Sequence, residues 1–211
     1  MTEETTGLRE LKKQRTRQTL SETAIALFLE RGFDQVSVAE VAAAAEVSKP
    51  TLFRYFPAKE DLVLDRIADH QGEAARVVRG RAPGESPLAA LRAHFHARLD
   101  ARDPVTGLCD VPAVLAFRDM VYSTPSLQGR LMRYAAEDER ALAEALAETG
   151  ADEAAARLAA AQIIAVHHVL ARDNWQRLAS GPITAAVLDA AHAGAELAYE
   201  LLGAGLAARG L

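Results

Sequence analysis

Two helix-start signals lie close together in the first quarter of the chain. Ser37 is followed three positions later by Glu40, the pattern of a capping box. Ser48 is followed by Pro50, and proline is favoured in the first turn of a helix, where its missing N–H costs nothing. A helix that ends near Ala44 is then separated by about three residues from the next. Two short helices joined by so tight a turn predict a helix-turn-helix.

A longer amphipathic helix is predicted in front of this pair. Over 11–31 a set of apolar side chains falls on one helical face: Leu20, Ala24, Leu27 and Phe28. Gly32 follows and can end the helix in a left-handed conformation. The N-terminal segment is therefore expected to fold into three helices.

The third predicted helix divides into two faces. Leu52 and Phe56 lie four residues apart and form an inward face, with Val47 before them. The remaining surface combines bases and aromatics: Lys49, Pro50, Thr51, Phe53, Arg54 and Tyr55. A helix that lies in the major groove of DNA needs this division between a packed side and a contacting side.

The charge of the chain is unevenly distributed. The formal net charge is −5, yet the first 60 residues carry nine Lys and Arg against nine acids. The remainder carries fifteen against twenty, which makes it an acidic body behind a locally basic N-terminus. Abundant alanine and few aromatics favour helix throughout, and no apolar run is long enough for a membrane span. We expect an all-α protein in the cytoplasm.

The segment "ALFLERGFDQVSVAEVAAAAEVSKPTLFRYFPAKEDLV" (26–63) closely resembles the DNA-binding domain of the tetracycline-repressor (TetR) family of bacterial regulators. The resemblance rests on these positions: Phe28, Gly32, Phe33, Val38, Val41, Ala42, Val47, Ser48, Thr51, Leu52, Phe56, Pro57, Lys59 and Glu60. It implies a helix-turn-helix DNA-binding domain over 8–58 and a helical ligand-binding and dimerisation domain over 59–211. The partners it implies are an operator in double-stranded DNA, a second copy of the chain and a small-molecule effector.

Four residues depart from the family's usual pattern. Glu46 stands where glycine is common in the turn, so a non-glycine residue must hold it. Pro50 and Phe53 replace a common glycine and tyrosine, which removes an N–H and a hydroxyl that could reach phosphate. Ala58 replaces a frequent serine and weakens the cap of the fourth helix.

The resemblance and the chemistry together give a set of expected DNA contacts. Lys49 and Lys59 can neutralise phosphates, and Arg54 can read guanine through two hydrogen bonds. The full set is Ser48, Lys49, Pro50, Thr51, Phe53, Arg54, Tyr55 and Lys59, with Lys12 and Arg15 from a basic lead-in that also contains Lys13 and Arg17. The alternative interpretation is that these are ordinary solvated charges.

Six longer helices are predicted in the C-terminal domain, over 60–79, 87–102, 105–123, 126–149, 152–179 and 183–208. The last carries a heptad-spaced apolar seam: Ile183, Val187, Ala190, Gly194, Leu197 and Leu201. The helix over 152–179 is apolar nearly all round, so a second subunit is the simplest cover for one of its sides. We therefore expect a homodimer through these two helices, with a seam inside one chain as the alternative.

A ligand pocket in the C-terminal domain is implied by the family resemblance. Side chains that combine apolar walls with polar groups are the candidates: Phe95, Leu99, Phe117, Met120, Tyr122, Met132, His168, Asn174 and Trp175. Each could equally be an ordinary core or surface residue.

No catalytic, metal or cofactor motif stands out. The pairs His94 and His96, and His167 and His168, lack the four-residue spacing that chelation on a helix needs, and Cys109 has no partner cysteine. Two hypotheses result. One is a ligand-released repressor that binds a near-palindromic operator as a homodimer. The other is a helical small-molecule-binding or catalytic protein whose DNA-binding segment is vestigial.

Overall fold

In the computed structural model of the chain, the backbone is described over 3–178 and 181–206, and these ranges contain helices and no strand. The expected all-α fold is confirmed. The helices are α1 Glu3–Arg31, α2 Val38–Ala44, α3 Lys49–Tyr55, α4 Lys59–Ala68, α5 Glu73–Gly80, α6 Pro87–Asp100, α7 Pro112–Ser123, α8 Pro125–Ala147, α9 Glu153–Leu178 and α10 Ala185–Leu206. Short 3₁₀ turns occupy Phe33–Gln35 and Pro104–Thr106.

The chain forms two compact units. The first unit comprises the chain up to Asp69 together with Ala116–Leu131. The second unit comprises His70–Leu115 and the chain from Met132 onwards. The predicted domain boundary after residue 58 falls at the start of α4, whereas packing groups α4 with the N-terminal helices.

Local capping chemistry begins α2 and α3 where the sequence predicts. The Ser37 hydroxyl accepts from the Glu40 N–H at 3.2 Å, and the Glu40 carboxylate accepts from the Ser37 N–H at 2.8 Å. Ser48 accepts from the Thr51 N–H at 3.2 Å and so caps α3. Glu46 has φ 55, which confirms that a non-glycine residue holds the turn in the left-handed region.

α4 begins without a side-chain acceptor at its N-cap, since that residue is Ala58. The Asp61 carboxylate compensates by accepting from the Ala58 N–H at 3.1 Å. Asp61 is only 5% exposed, and its other oxygen lies 2.6 Å from Nη2 of Arg130 at the start of α8. The segment 116–131 is thus tied to α4 by a charged contact inside the first unit.

Three helix boundaries differ from the prediction. α1 is longer than predicted and begins at Glu3, so the basic lead-in is helical. The predicted helix over 60–79 is wrong, because Gly72 adopts φ 69 and gives its N–H to Asp138 at 2.7 Å, which separates α4 from α5. The helix predicted from residue 105 begins only at Pro112, since proline takes the first position of a helix readily.

Each unit has its own apolar core. In the first unit α1, α2, α3 and α4 bury Leu20, Ala24, Phe28, Val41, Leu52, Phe56 and Leu62, which are at most 1% exposed, whereas Leu27 of the predicted inward face is partly buried. Leu52 and Phe56 are fully buried, as their spacing predicts. In the second unit α5, α6, α8, α9 and α10 enclose a core that includes Leu91, Leu99, Leu142, Ala159 and Ile163.

Within the described ranges one helix, Glu153–Leu178, is long and apolar enough to span a membrane by length and composition alone, with mean hydropathy 1.4. Its inner face contributes Ala156, Ala159 and Ile163 to the core of the second unit. Helices that form the core of water-soluble domains pass the same test, so the finding is weak support for a span.

Candidate nucleic-acid interface

The outward face of α3 is built as the sequence predicts. Lys49, Pro50 and Arg54 are exposed, and the ring of Phe53 is 39% exposed although it is large and apolar. Behind them Leu52 is fully buried, which fixes the rotation of the helix about its axis. An exposed phenylalanine ring is poorly solvated by water, and between two basic side chains it offers an apolar surface for thymine methyl groups.

Basic and aromatic side chains on α3 contact one another in pairs. The Lys49 ammonium lies 5.9 Å from the centre of the Phe53 ring, and the Arg54 guanidinium lies 5.6 Å from the Tyr55 ring. Such cation–π contacts restrict the long side chains without neutralising their charge. Both positive charges therefore remain available to phosphates or base edges. Ser48 and Thr51, also expected to contact DNA, hydrogen-bond each other at 2.8 Å.

A groove of about 390 Å³ runs beside the start of α3. Lys12 and Arg15 of α1 line one side of it, and Ala45 and Val47 of the turn line the other. Both basic side chains are exposed, at the edge of a groove that the turn before α3 also lines.

Arg17 does not belong to this surface, which corrects its assignment to the basic lead-in. Its Nε donates to Asp65 Oδ1 at 2.7 Å, and its Nη1 donates to the Tyr55 carbonyl at 3.1 Å. The guanidinium also lies 4.6 Å from the Phe56 ring centre. Arg17 therefore clamps α1 to α3 and α4.

Lys59 is also held within the first unit. Its Nζ donates to the Phe33 carbonyl at 2.5 Å and lies 4.2 Å from the centre of the Phe33 ring. This geometry supports packing of α4 against the Phe33–Gln35 turn. The phosphate contact expected of Lys59 stays a prediction that its observed position does not favour.

The cap of α2 is electrostatically reinforced. Hydrogen bonds from the Ser37 backbone, and then from Arg31, lower the pKa of Glu40 to about 2. Arg31 Nη2 lies 2.7 Å from Glu40 Oε1, so the last turn of α1 is joined to the first turn of α2. Because a lowered carboxyl pKa means stabilisation that is lost only as pH falls through the lowered value, the cap persists at neutral pH.

The residues expected to line a ligand pocket are dispersed. Phe95 and Leu99 lie in the core of the second unit, whereas Phe117, Met120 and Tyr122 belong to the first. Met132 is 67% exposed and His168 is exposed. Trp175 is partly buried on α9.

Asn174, another expected pocket residue, has a structural role. It is 1% exposed, donates to the Thr106 carbonyl at 2.9 Å and accepts from Arg177 at 2.8 Å. These bonds hold the Pro104–Thr106 turn against α9. The assignment of Asn174 to a pocket stays a prediction that its burial and these bonds do not favour.

An uncharged polar cluster lies inside the second unit and was missed from the sequence. Phe95 of α6 is stacked on His167 of α9 with ring centres 5.3 Å apart, and His167 Nε2 lies 2.8 Å from the Tyr199 hydroxyl of α10. Burial lowers the pKa of His167 to about 4 and raises the pKa of Tyr199. Both groups are therefore neutral at physiological pH.

The residues of the expected dimer seam fall into two groups in the structure, one packed against its own chain and one exposed. Ile183 and Val187 pack against the core of their own chain, and Gly194 faces Leu170 of α9, which corrects their place in an outward seam. Leu197 and Leu201 are 58% and 69% exposed, and Ala190 is exposed. The outward apolar stripe of α10 consists of Ala186, Ala190, Ala193, Leu197 and Leu201.

α9 carries a second outward apolar stripe. Leu158 is 65% exposed and Val169 is 45% exposed, with Ala165 exposed between them. The helix is therefore apolar on its buried face and on part of its exposed face. Among the described residues no group of three or more His, Cys, Asp or Glu side chains is arranged to hold a metal ion.

Comparison with known proteins identifies a family match in the N-terminal segment and a relative over most of the chain. The family model "Bacterial regulatory proteins, tetR family" matches residues 20–65. The HTH-type transcriptional regulator TcmR of Streptomyces glaucescens is 32% identical over 176 residues, which cover 81% of this chain and 78% of TcmR. These relatives are transcriptional regulators rather than enzymes.

Solved structures share the fold. NalD, the secondary repressor of the MexAB-OprM multidrug efflux pump in Pseudomonas aeruginosa, aligns with a TM-score of 0.58 at 19% identity, over 92% of this chain and 96% of NalD. A TetR-family regulator from Streptomyces coelicolor A3 aligns with a TM-score of 0.57 at 23% identity, over 90% and 95% of the two chains.

Proposed function

We propose that this chain, which belongs to the TetR family of bacterial transcriptional regulators, is a cytoplasmic repressor. It binds a near-palindromic operator as a homodimer, and a small molecule releases it from the DNA. The observation that carries the DNA-binding part is the outward face of α3. Lys49, Phe53 and Arg54 are exposed there on a helix whose opposite side is fully buried.

Each of these side chains has its own proposed contact with DNA. Arg54 forms the bidentate contact with guanine, and Pro50 and Phe53 contact thymine methyl groups. Lys49 neutralises a phosphate on one side of the major groove, while Lys12 and Arg15 of α1 contact the backbone beside it. Pro50 and Phe53 shift recognition from phosphate hydrogen bonds towards apolar contacts with bases.

Dimerisation is supported by the outward stripes of α9 and α10. A contiguous exposed apolar surface on a soluble domain marks an interface, and the stripe of α10 contains alanines that allow close helix approach. Two copies related by a two-fold axis would bring both helices together in a four-helix contact. The two recognition helices would then meet half-sites about 34–36 Å apart, one turn of DNA.

Effector release is proposed from family membership and from the chemistry of the second unit. A ligand that binds more tightly to the DNA-incompetent state lowers operator affinity by its differential affinity for the two states. The neutral cluster of Phe95, His167 and Tyr199 is the proposed site of contact with the ligand, and it favours an uncharged aromatic molecule over an anion.

The test of DNA binding uses fluorescence anisotropy with fragments of the chain's own upstream DNA, measured at several salt concentrations. We expect log affinity to fall linearly with log salt, since phosphate contacts release counterions. Lys49→Ala should weaken binding to all sequences and make the salt slope shallower by about one. Arg54→Ala should cost roughly 10- to 150-fold for the specific site and little for random DNA, the range of a bidentate base contact.

Arg140→Ala is the control, because this exposed arginine of α8 pairs with Glu144 and belongs to the second unit, outside the helices proposed to contact DNA. Binding that is absent or independent of salt would refute the repressor and favour a helical ligand-binding protein with a vestigial DNA-binding segment. An Arg54→Ala protein with unchanged discrimination would refute the assigned base contact alone.

A further inference from the structure

The helix α3 is short and is held at both of its ends. It contains seven residues, and a helix of this length is marginal in water without support from outside. At its first turn the Ser48 hydroxyl accepts from the Thr51 N–H at 3.2 Å. The last carbonyls of a helix lack partners within it. Arg17 of α1 provides one, because its Nη1 donates to the Tyr55 carbonyl at 3.1 Å.

Further contacts fix the guanidinium of Arg17 itself. Its Nε lies 2.7 Å and its Nη2 2.5 Å from Oδ1 of Asp65 in α4, and the Asp65 side chain is only 16% exposed. Its central carbon lies 4.6 Å from the centre of the Phe56 ring, which is fully buried. Hydrogen bonds between charged groups are roughly twice as strong as those between neutral groups. The Tyr55 carbonyl is therefore joined to α4 through a side chain that is itself held in place.

The carbonyl that Arg17 holds belongs to the residue next to Arg54, the side chain proposed to read guanine. A bidentate contact needs two donors at hydrogen-bond distance, and a displacement of about 1 Å takes a donor outside that range. Lys49 lies at the other end of α3, and its attraction to a phosphate falls gradually with distance. The position of the last turn of α3 therefore bears on discrimination between sequences more than on overall affinity for DNA.

We propose that Arg17 is a positioning residue for sequence recognition, which holds the last turn of α3 where Arg54 reaches guanine and does not contact DNA itself. This inference rests on the DNA-binding function proposed above. The charge of Arg17 is compensated by Asp65, and its Nε, Nη1 and Nη2 are all engaged inside the first unit. A contact group that is fixed before binding loses less conformational entropy when it binds.

A direct contact between Arg17 and the DNA backbone is the competing explanation, since 43% of its side chain is exposed. The two explanations predict opposite effects of Asp65→Asn. If Arg17 contacts phosphate, loss of the neighbouring carboxylate leaves its charge uncompensated, and affinity for all DNA rises. If Arg17 positions α3, the same change loosens the guanidinium, so affinity for the operator falls while affinity for random DNA stays the same.

The test measures fluorescence anisotropy of the full chain with the upstream fragment that it binds and with random DNA of equal length. Arg17→Met should weaken binding to the upstream fragment roughly 10-fold, within the roughly 10- to 150-fold of a bidentate base contact, and binding to random DNA by less than about twofold. The salt slope should stay at the wild-type value, since no phosphate contact is lost. In an Arg54→Ala background, Arg17→Met should add less than about twofold, because the contact that it positions is already absent.

Arg66→Met is the matched control. Arg66 of α4 lies 3.4 Å from Glu22 of α1, so this ion pair joins the same two helices as Arg17 and Asp65 but does not include α3. The substitution removes the same charge and should leave the discrimination between the two DNA fragments unchanged. If Arg17→Met does not fold, Asp65→Asn decides between the two explanations.

Hydrogen exchange of the free protein gives a readout that does not depend on DNA. The Phe56 N–H donates to the Leu52 carbonyl at 2.9 Å and reports the last turn of α3. Relative to amides of α1, it should exchange faster in Arg17→Met than in Arg66→Met. A wild type that binds no upstream fragment would refute the DNA-binding function, and hydrogen exchange would still test whether Arg17 holds this turn. Equal losses for both DNA fragments with a shallower salt slope, or equal Phe56 exchange in the two variants, would overturn the positioning role.

Discussion

At the scale of single residues, Gly107 is the position where the fold leaves least room. It has φ 81, a conformation that residues with a Cβ rarely adopt. A Cβ added there would lie 1.9 Å from the carbonyl oxygen of Ala171 on α9. The turn that follows α6 can pack on α9 only because this residue has no side chain.

Gly107→Ala should therefore destabilise the second unit by about 3 kcal/mol or more, since both the backbone conformation and the contact must change. Urea unfolding monitored by circular dichroism measures the loss. Gly80→Ala is the control, because Gly80 has no atom within 4 Å of its added Cβ, and it should be neutral or stabilising by up to about 1 kcal/mol. Equal stability of the two variants would contradict the assigned contact.

Residue chemistry also explains how much of the site was predictable. Ser37, Ser48 and Glu46 act on neighbours within a few positions, so their cap and turn conformations follow from the sequence. Arg17 looked like a DNA-binding base because its partner Asp65 lies 48 positions away. No local pattern distinguishes an inward arginine from an outward one. The pairing of His96 with His192 spans 96 positions and was equally invisible.

At the scale of elements, spacing predicted which side of α3 is buried, but it did not predict what lies against α4. Asp61 supports the N-terminus of α4 by accepting from the Ala58 N–H. The structure adds Arg130, at the start of α8, to the same carboxylate. A buried ion pair contributes little net stability, but removal of one partner leaves a charge without compensation.

Arg130→Met should accordingly cost about 3 kcal/mol, because Asp61 stays buried without its ion-pair partner. Adding Asp61→Asn should recover part of that loss, since the amide removes the charge and its oxygen still accepts from the Ala58 N–H. Chemical unfolding of the two single variants and the double variant gives the coupling energy. Additive losses in the double variant would show that the two side chains act independently.

The predicted seam combines residues from two sides of α10, for a physical reason. A heptad pattern shows which residues share a helix side, but two neighbouring sides of α10 are both apolar. One side packs on α9 and α6 through residues such as Ala191 and Ala195, which are at most 1% exposed. The other side is the outward stripe. Periodicity alone cannot separate an intrachain seam from an intermolecular one when small residues occupy both.

At the scale of the whole molecule, the proposed dimer through the outward stripes would bring two recognition helices, rather than one, to the operator. Leu197→Glu places a charge in the middle of the stripe of α10 without touching the chain's own core, since Leu197 is 58% exposed. If the stripe is the dimer interface, the variant stays folded and sediments as a monomer. Operator affinity should fall by roughly 10²–10⁴-fold, because the second half-site no longer binds as part of the same molecule.

Met132→Glu makes the same change at an exposed apolar side chain on α8, a helix that carries neither stripe. It should leave the sedimentation coefficient and the operator affinity unchanged, which separates a lost interface from a general effect of added charge. A Leu197→Glu protein that still sediments as a dimer would refute the proposed interface while leaving the DNA contacts of α3 intact. A monomer with full operator affinity would instead show that one recognition helix suffices, and it would refute the proposal that the operator has two-fold symmetry.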